Sequence, residues 1–136
     1  MKSPKVQNAF RLVSTQATEI NLNTTILFDR KITDKLNLDI GHGIMFSPEH
    51  DKQFIVQFEV KQKSDKTDFE IFTKYLALFE CKDSITDEFR NSEFVNMNAP
   101  AIAFPYLRSF ISSFVLESGY DPVILPTLNF TSCNEK

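Results

Sequence analysis

The stretch Gln53-Phe54-Ile55-Val56-Gln57-Phe58-Glu59-Val60-Lys61 sets Phe54, Val56, Phe58 and Val60 at every second position. Gln53, Gln57, Glu59 and Lys61 fall on the other face. Successive side chains of a strand point to opposite faces, so this alternation predicts a half-buried β-strand. A turn-like Ser64-Asp65-Lys66 follows, and the next strand is expected over about Asp68 to Glu80. Phe69, Ile71, Tyr75, Ala77 and Phe79 share one of its faces, while Phe72, Leu76 and Leu78 share the other. Two apolar faces need two covers. A helix of the same chain can supply one, and a second subunit or a bound polypeptide the other.

Toward the N-terminus, Phe10 to Leu22 reads as an exposed or edge strand. Its apolar positions Phe10, Leu12, Ile20 and Leu22 flank a polar middle of Ser14, Thr15 and Gln16. A further strand is expected from about Leu36 to Phe46, where Leu36, Leu38 and Ile40 alternate with Asn37 and Asp39. Gly41-His42-Gly43 interrupts it and predicts a bulge or a kink.

Toward the C-terminus, Ser84-Ile85-Thr86-Asp87 is a variant of the capping box and opens a short helix through Phe94. The main helix is expected from about Ile102 to Ser118, with Leu107, Phe110, Ile111, Phe114 and Val115 forming one stripe. Pro105 then falls in its first turn, where amides lack intrahelical partners anyway. Ser109, Ser112 and Ser113 are small enough for another surface to approach, and Gly119 suits a left-handed helix end. From Tyr120 to Phe130 the chain is apolar but broken by Pro122 and Pro126, which predicts an extended segment. Carrying Val123, Ile124, Leu125, Leu128 and Phe130, that segment must lie against something. Four strands followed by helices make an α+β chain, with residues 1–136 expected to form one domain.

Among the 136 residues, 42% are hydrophobic and 24% charged, which fits a folded domain. A chain of this length buries roughly two-thirds of its unfolded surface, so a core needs no staples. The formal charge of −3 and the lack of a Lys/Arg-rich run give no footprint for nucleic acid. No run approaches the roughly 20 apolar residues of a membrane span. Met1-Lys2-Ser3-Pro4-Lys5 has no apolar run behind it, so no secretory signal is expected. Cys81 and Cys133 lack metal or redox spacing and suit a reduced compartment, so the expected location is cytoplasmic. Phe is unusually frequent, at 14 residues against 3 Tyr and no Trp. Either the core is Phe-rich, or the surplus lines a binding surface.

Signals for catalysis are missing. His42 lies between two glycines and His50 beside Asp51, with no spacing that brings a serine or cysteine to either. A surface or bulge histidine is the ordinary explanation for His42. Cys81 reads as a small apolar residue after a buried strand. The carboxylates Glu49, Asp51, Asp83, Asp87 and Glu88 lack the alternation and the glycine of a calcium loop. Three glycines, two of them beside His42, leave no phosphate-binding loop. No catalytic residue, metal or cofactor is expected.

Phe104-Pro105-Tyr106, Arg108, Ile111-Ser112-Ser113 and Val115 are followed by Leu125 and Asn129-Phe130. In order and spacing, the segment Pro100 to Phe130 resembles the SecB family of export chaperones. The four preceding strands fit that family's strand order over nearly the whole chain. The resemblance implies a four-stranded antiparallel Greek-key sheet followed by a long helix. It also implies an ATP-independent holdase for unfolded polypeptides, assembled as a homotetramer. In that dimer of dimers, chains pair through their first strands and the long helices are sandwiched between sheets. By position, client binding falls to Ile26, Leu27, Phe28, Leu36 and Leu38, with Tyr120, Val123, Leu125, Leu128 and Phe130. The oligomer contact falls to Tyr106, Arg108, Phe110, Ser113 and Phe114.

The family pattern also has a second helix after the Asn-Phe pair and a tail that contacts the translocation motor SecA. Six residues follow Phe130 here, so the last helix is expected to be missing. The glycine before the loop aromatic and both loop prolines are shifted by one position, and the chain is less acidic than the export chaperone. These departures weigh against SecA docking. They tilt the expectation from preprotein targeting toward a chaperone dedicated to one antitoxin in a toxin–antitoxin–chaperone system. The alternative is a non-catalytic interaction module of the same fold, with one protein partner and a closed groove.

Overall fold

Strands β1 (Phe10–Asn23), β2 (Leu36–Phe46), β3 (Gln53–Ser64) and β4 (Glu70–Cys81) form one antiparallel sheet in the order β1-β4-β3-β2. They come from a computed structural model that describes residues 8–128 and 130. Asn129 of the motif, Cys133, the Met1–Lys5 stretch and the six residues after Phe130 lie outside the described residues. Three hairpin-connected strands, with the first strand returning beside the last, make the expected Greek key. A turn of 3-10 helix (Arg30–Thr33), the short helix α1 (Asp87–Arg90) and the long helix α2 (Glu93–Glu117) complete the described elements. Sheet and long helix agree with the fold class read from the sequence.

The inner face of the sheet carries the core. Phe54, Val56, Phe58 and Val60 of β3 are buried, as are Ile71, Ala77 and Phe79 of β4. Against them pack Val95, Ala99, Ala103, Phe104, Leu107, Ile111 and Val115 of α2. Phe54 and Phe79, cross-strand neighbours, stack with ring centroids 5.0 Å apart. Much of the phenylalanine is therefore core. On the outer face Phe72, Leu76 and Leu78 are half-buried, and Met45 and Val13 are exposed.

Three sequence expectations change. β2 pairs with β3 without a register shift through Gly41-His42-Gly43, so there is no bulge there. The glycines sit opposite Glu59 and Gln57 with nothing within 4 Å of where a Cβ would be. The two irregularities lie in β1 instead, at Leu12/Ser14 and Ala17/Glu19, where an edge strand tolerates an unpaired residue. The second change concerns α1, whose cap is Thr86, accepting from the Phe89 amide at 3.1 Å, and not Ser84. Asp51 engages the Ser84 hydroxyl at 2.9 Å.

The third change is the start of α2 at Glu93, well before Ile102, capped by the Ser92 hydroxyl. Pro100 and Pro105 therefore lie inside the helix and not at its start. Each interior proline removes one backbone hydrogen bond and costs about 3 kcal/mol or more. Burial of Val95, Ala99 and Ala103 on the sheet extends the apolar stripe and offsets that cost. At the other end Gly119, with φ of 104°, closes the helix as expected. Its amide donates to Leu116 and that of Tyr120 to Val115, the double bond pattern of a Schellman end.

Although the sequence holds no continuous apolar run as long as a membrane span, the 25 residues of α2 taken together are apolar enough to cross a bilayer by length and composition alone. The core helix of a globular domain also passes that test, and the fold buries 39% of the most apolar stretch of α2. Both of its faces are apolar: one packs on the sheet, and the other leaves Ile102, Tyr106 and Leu116 exposed. A helix that is apolar all round calls for a cover on each side.

Candidate functional site

A cleft of about 490 Å³ opens beside β2, the strand at one edge of the sheet. One wall is Leu36 and Leu38 of β2; the other is the extended segment from Asp121 to Pro126. Lys31, Thr33 and Asp34 close one end. The segment stays extended because Pro122 and Pro126 deny it a helix, and it is fastened at its start. There the Asp121 amide donates to the Arg30 carbonyl at 2.9 Å, and the Thr33 hydroxyl donates to the Asp121 carbonyl at 2.9 Å. The Arg30 guanidinium lies 3.5 Å from the Asp121 carboxylate. Farther along, Arg108 of α2 donates to the Leu125 carbonyl at 3.1 Å.

The turn leading into Arg30–Thr33 displays the Ile26-Leu27-Phe28 triplet. Leu27 is 77% exposed and Phe28 is 100% exposed. Phe28 also has φ of 54°, a left-handed conformation that bulky residues rarely adopt. Bonds on both sides hold it. Downstream, the Asp29 carboxylate caps the 3-10 turn by accepting from the Lys31 amide. Upstream, the Asp68 carboxylate accepts from the Thr24 hydroxyl at 2.8 Å, the Thr25 hydroxyl at 2.6 Å and the Thr25 amide at 2.9 Å. The hydrogen bonds from Thr25 and then Thr24 hold the Asp68 carboxyl below its ordinary value.

The predicted client residues therefore separate into three groups. Leu36, Leu38, Val123 and Leu125 line the cleft together, although Leu125 is itself buried. Ile26, Leu27 and Phe28 stand exposed on the neighbouring turn. Tyr120, Leu128 and Phe130 turn inward. Tyr120 meets Phe69 edge-on at 5.2 Å, Leu128 packs on the core, and Phe130 lies 5.8 Å from Phe104 and 5.2 Å from His42.

Sequence reasoning names Ile124 only as part of the apolar segment after Tyr120, and it misses Gln62 altogether. Ile124 is 75% exposed at the rim. Gln62 sits on the core face of β3, between Leu38 and Ile71, and is only 2% exposed. The signal was present: a polar Gln62 breaks the Phe54-Val56-Phe58-Val60 alternation on the same face.

Of the predicted oligomer residues, Tyr106 and Ser113 are exposed on α2. Arg108 is occupied within its own chain by Leu125. Phe110 and Phe114 are half-buried and stacked on each other at 6.2 Å, with Phe110 also 5.4 Å from Tyr75.

No group of three His, Cys, Asp or Glu side chains among the described residues is placed to hold a metal ion. Burial pushes the Cys81 thiol up to about 11, where it is inert as a nucleophile near neutral pH.

The sequence matches the family described as Preprotein translocase subunit SecB over residues 5–135. The chain belongs to the SecB family. It is 30% identical over 135 residues to the protein-export protein SecB of Magnetococcus marinus, covering 96% of this chain and 72% of that one. It is also 30% identical over 131 residues to an uncharacterized protein of Methanocaldococcus jannaschii, covering 93% of this chain and 81% of the relative. Among solved structures, it superposes on the SecB-like chaperone of Mycobacterium tuberculosis in complex with a ChAD peptide from the HigA1 antitoxin. The TM-score there is 0.67 at 13% identity, with 88% of each chain covered. Membership of this SecB family supports a chaperone role.

Proposed function

We propose that this SecB-family chain is an ATP-independent holdase that binds apolar segments of non-native polypeptides along the Leu36/Leu38–Val123/Leu125 cleft and the adjoining Leu27-Phe28 turn. The observation that carries the reading is Phe28. An aromatic ring held fully in solvent, on a left-handed backbone pinned from both sides, contributes nothing to its own core. A strained and exposed apolar side chain suits capture of another chain. The outer edge of β2, which no other strand among the described residues pairs, suits the same ligand, because an extended segment can add to it by main-chain hydrogen bonds.

In this reading the protein works as one domain, without catalytic residues or cofactor, in the cytoplasm. The apolar outer side of α2, with Ile102, Tyr106 and Leu116, is the contact that assembles a homotetramer. An antitoxin is the favoured type of dedicated client, since the M. tuberculosis chaperone of the same fold was solved with an antitoxin peptide. Preprotein targeting through SecA is the competing role.

A second reading keeps the fold but closes the groove, leaving an interaction module with a single partner. The inward packing of Tyr120 and Phe130 favours it.

Aggregation of a chemically denatured model protein, followed by light scattering without ATP, separates the two. A holdase suppresses scattering, and Phe28→Asp or Ile124→Asp removes the effect. A closed module leaves scattering unchanged.

A further inference from the structure

The turn that carries Phe28 is tied to the fold through one side chain. From Thr25 to Phe28 no backbone–backbone hydrogen bond forms among the described residues. The hold from another element is the Asp68 carboxylate. One of its oxygens accepts from the Thr24 hydroxyl at 2.8 Å; the other accepts from the Thr25 hydroxyl at 2.6 Å and the Thr25 amide at 2.9 Å. Asp68 is itself well held, in the turn between β3 and β4. There the Ser64 hydroxyl accepts from the Lys66 and Thr67 amides, and the Ser64 amide donates to the Phe69 carbonyl. Phe69, the next residue, is fully buried and meets Tyr120 edge-on.

We infer that Asp68 is a positioning residue of the client site, fixing the Thr24-Thr25 end of the turn so that Leu27 and Phe28 stand clear of the fold with their backbone already set. This rests on the reading of that turn as part of the client site. Two observations separate the role from ordinary loop closure. A turn that only joins β1 to β2 needs no left-handed phenylalanine, and the ring of Phe28 is 100% exposed, so its own packing does not hold the conformation. A strained backbone of this kind persists only where its surroundings over-determine it. Downstream, Asp29 reaches no farther than the Lys31 amide, which leaves Asp68 as the tie to the sheet. In addition, the Thr24 and Thr25 bonds are made in the open, where water would satisfy the same groups. Such bonds contribute direction more than stability. A turn ordered before the client arrives loses less freedom on binding, and the client meets a competent state already populated.

The test reads mobility and binding separately on the full chain. By NMR relaxation, the Leu27 and Phe28 amides of wild type should have order parameters near about 0.85, as in rigid backbone, falling below about 0.6 in Asp68→Ala. A labelled peptide of leucine, phenylalanine and serine, titrated by fluorescence anisotropy, should bind Asp68→Ala roughly 2- to 10-fold more weakly, the cost of ordering one side chain on binding. Thr25→Val keeps the shape without the hydroxyl and should weaken binding in the same direction. Thr25→Ser keeps the hydroxyl and should bind as wild type, so this pair carries the comparison if Asp68→Ala folds poorly. In a Leu27→Ala/Phe28→Ala background, Asp68→Ala should change affinity no further, because nothing is left to position. Order parameters unmoved by Asp68→Ala overturn the positioning role and leave the client site standing. So do wild-type affinities in both Asp68→Ala and Thr25→Val. A loss that persists in full without Leu27 and Phe28 overturns it too, since Asp68 then acts on the client directly. If wild-type protein binds no such peptide, the client-site reading itself fails, and the role of Asp68 falls with it.

Discussion

Phe28 and His42 differ in how their neighbours constrain them. Phe28 is held by its backbone and touches little, so replacing it should separate function from stability. Phe28→Asp is expected to change unfolding free energy by no more than about 0.5 kcal/mol, as for other surface positions. It should weaken client binding about tenfold, the loss typical of an interface anchor. Chemical denaturation and peptide titration of the same preparation check both halves. His42 is the opposite case, since burial against Phe58 and Phe130 lowers its pKa from 6.5. The unfolded chain then takes up the proton before the folded one does. Stability is complete above pH 6.5 and falls as the pH drops through that value toward the lower folded pKa. Urea midpoints between pH 7.5 and 5 should decline for wild type and decline less for His42→Phe. Asp68 acts in a more acidic window: its carboxyl is held down by Thr25 and Thr24, so its contribution is lost only as the pH falls below 3.8.

At the scale of elements, the strands were legible because each imposes a period of two on its residues. The span of β2 and the buried face of β3 follow directly from that alternation. The start of α2 was not legible, because Pro100 and Pro105 look like helix boundaries until the sheet beneath them is known. The Gly41-His42-Gly43 stretch misled for a related reason. Glycine marks a bulge only when the backbone needs it, and here the glycines leave the outer face bare. The exposed and stacked aromatics of α2 lead to contrasting predictions. Tyr106, 51% exposed, should give a variant Tyr106→Asp that stays folded but assembles less, seen as a lower mass in light scattering. Phe110→Asp should instead cost several kcal/mol of stability in the chain itself, since it places a charge against Tyr75 and Phe114. Equal melting temperatures for the two variants would contradict that division.

At the scale of the whole molecule, the fold was readable and the cleft only in part. Leu36, Leu38, Val123 and Leu125 could be named from their loops and strand, but their meeting depends on a bond between residues 88 positions apart, Thr33 to Asp121. Tyr120 and Phe130 were named on the same grounds, and the fold uses them as core. Local periodicity cannot distinguish an apolar loop residue that faces a ligand from one that closes the interior. The consequence for design is that Tyr120→Asp would damage Phe69 packing, so Ile124→Asp is the cleaner probe of the rim. The most direct measurement is suppression of aggregation of a denatured model protein without ATP, with oligomer mass recorded on the same sample. Near-stoichiometric suppression by a folded oligomer, lost in Phe28→Asp and Ile124→Asp at unchanged mass, is the predicted result. A folded oligomer that leaves aggregation untouched, or variants that suppress it as well as wild type, would contradict the account.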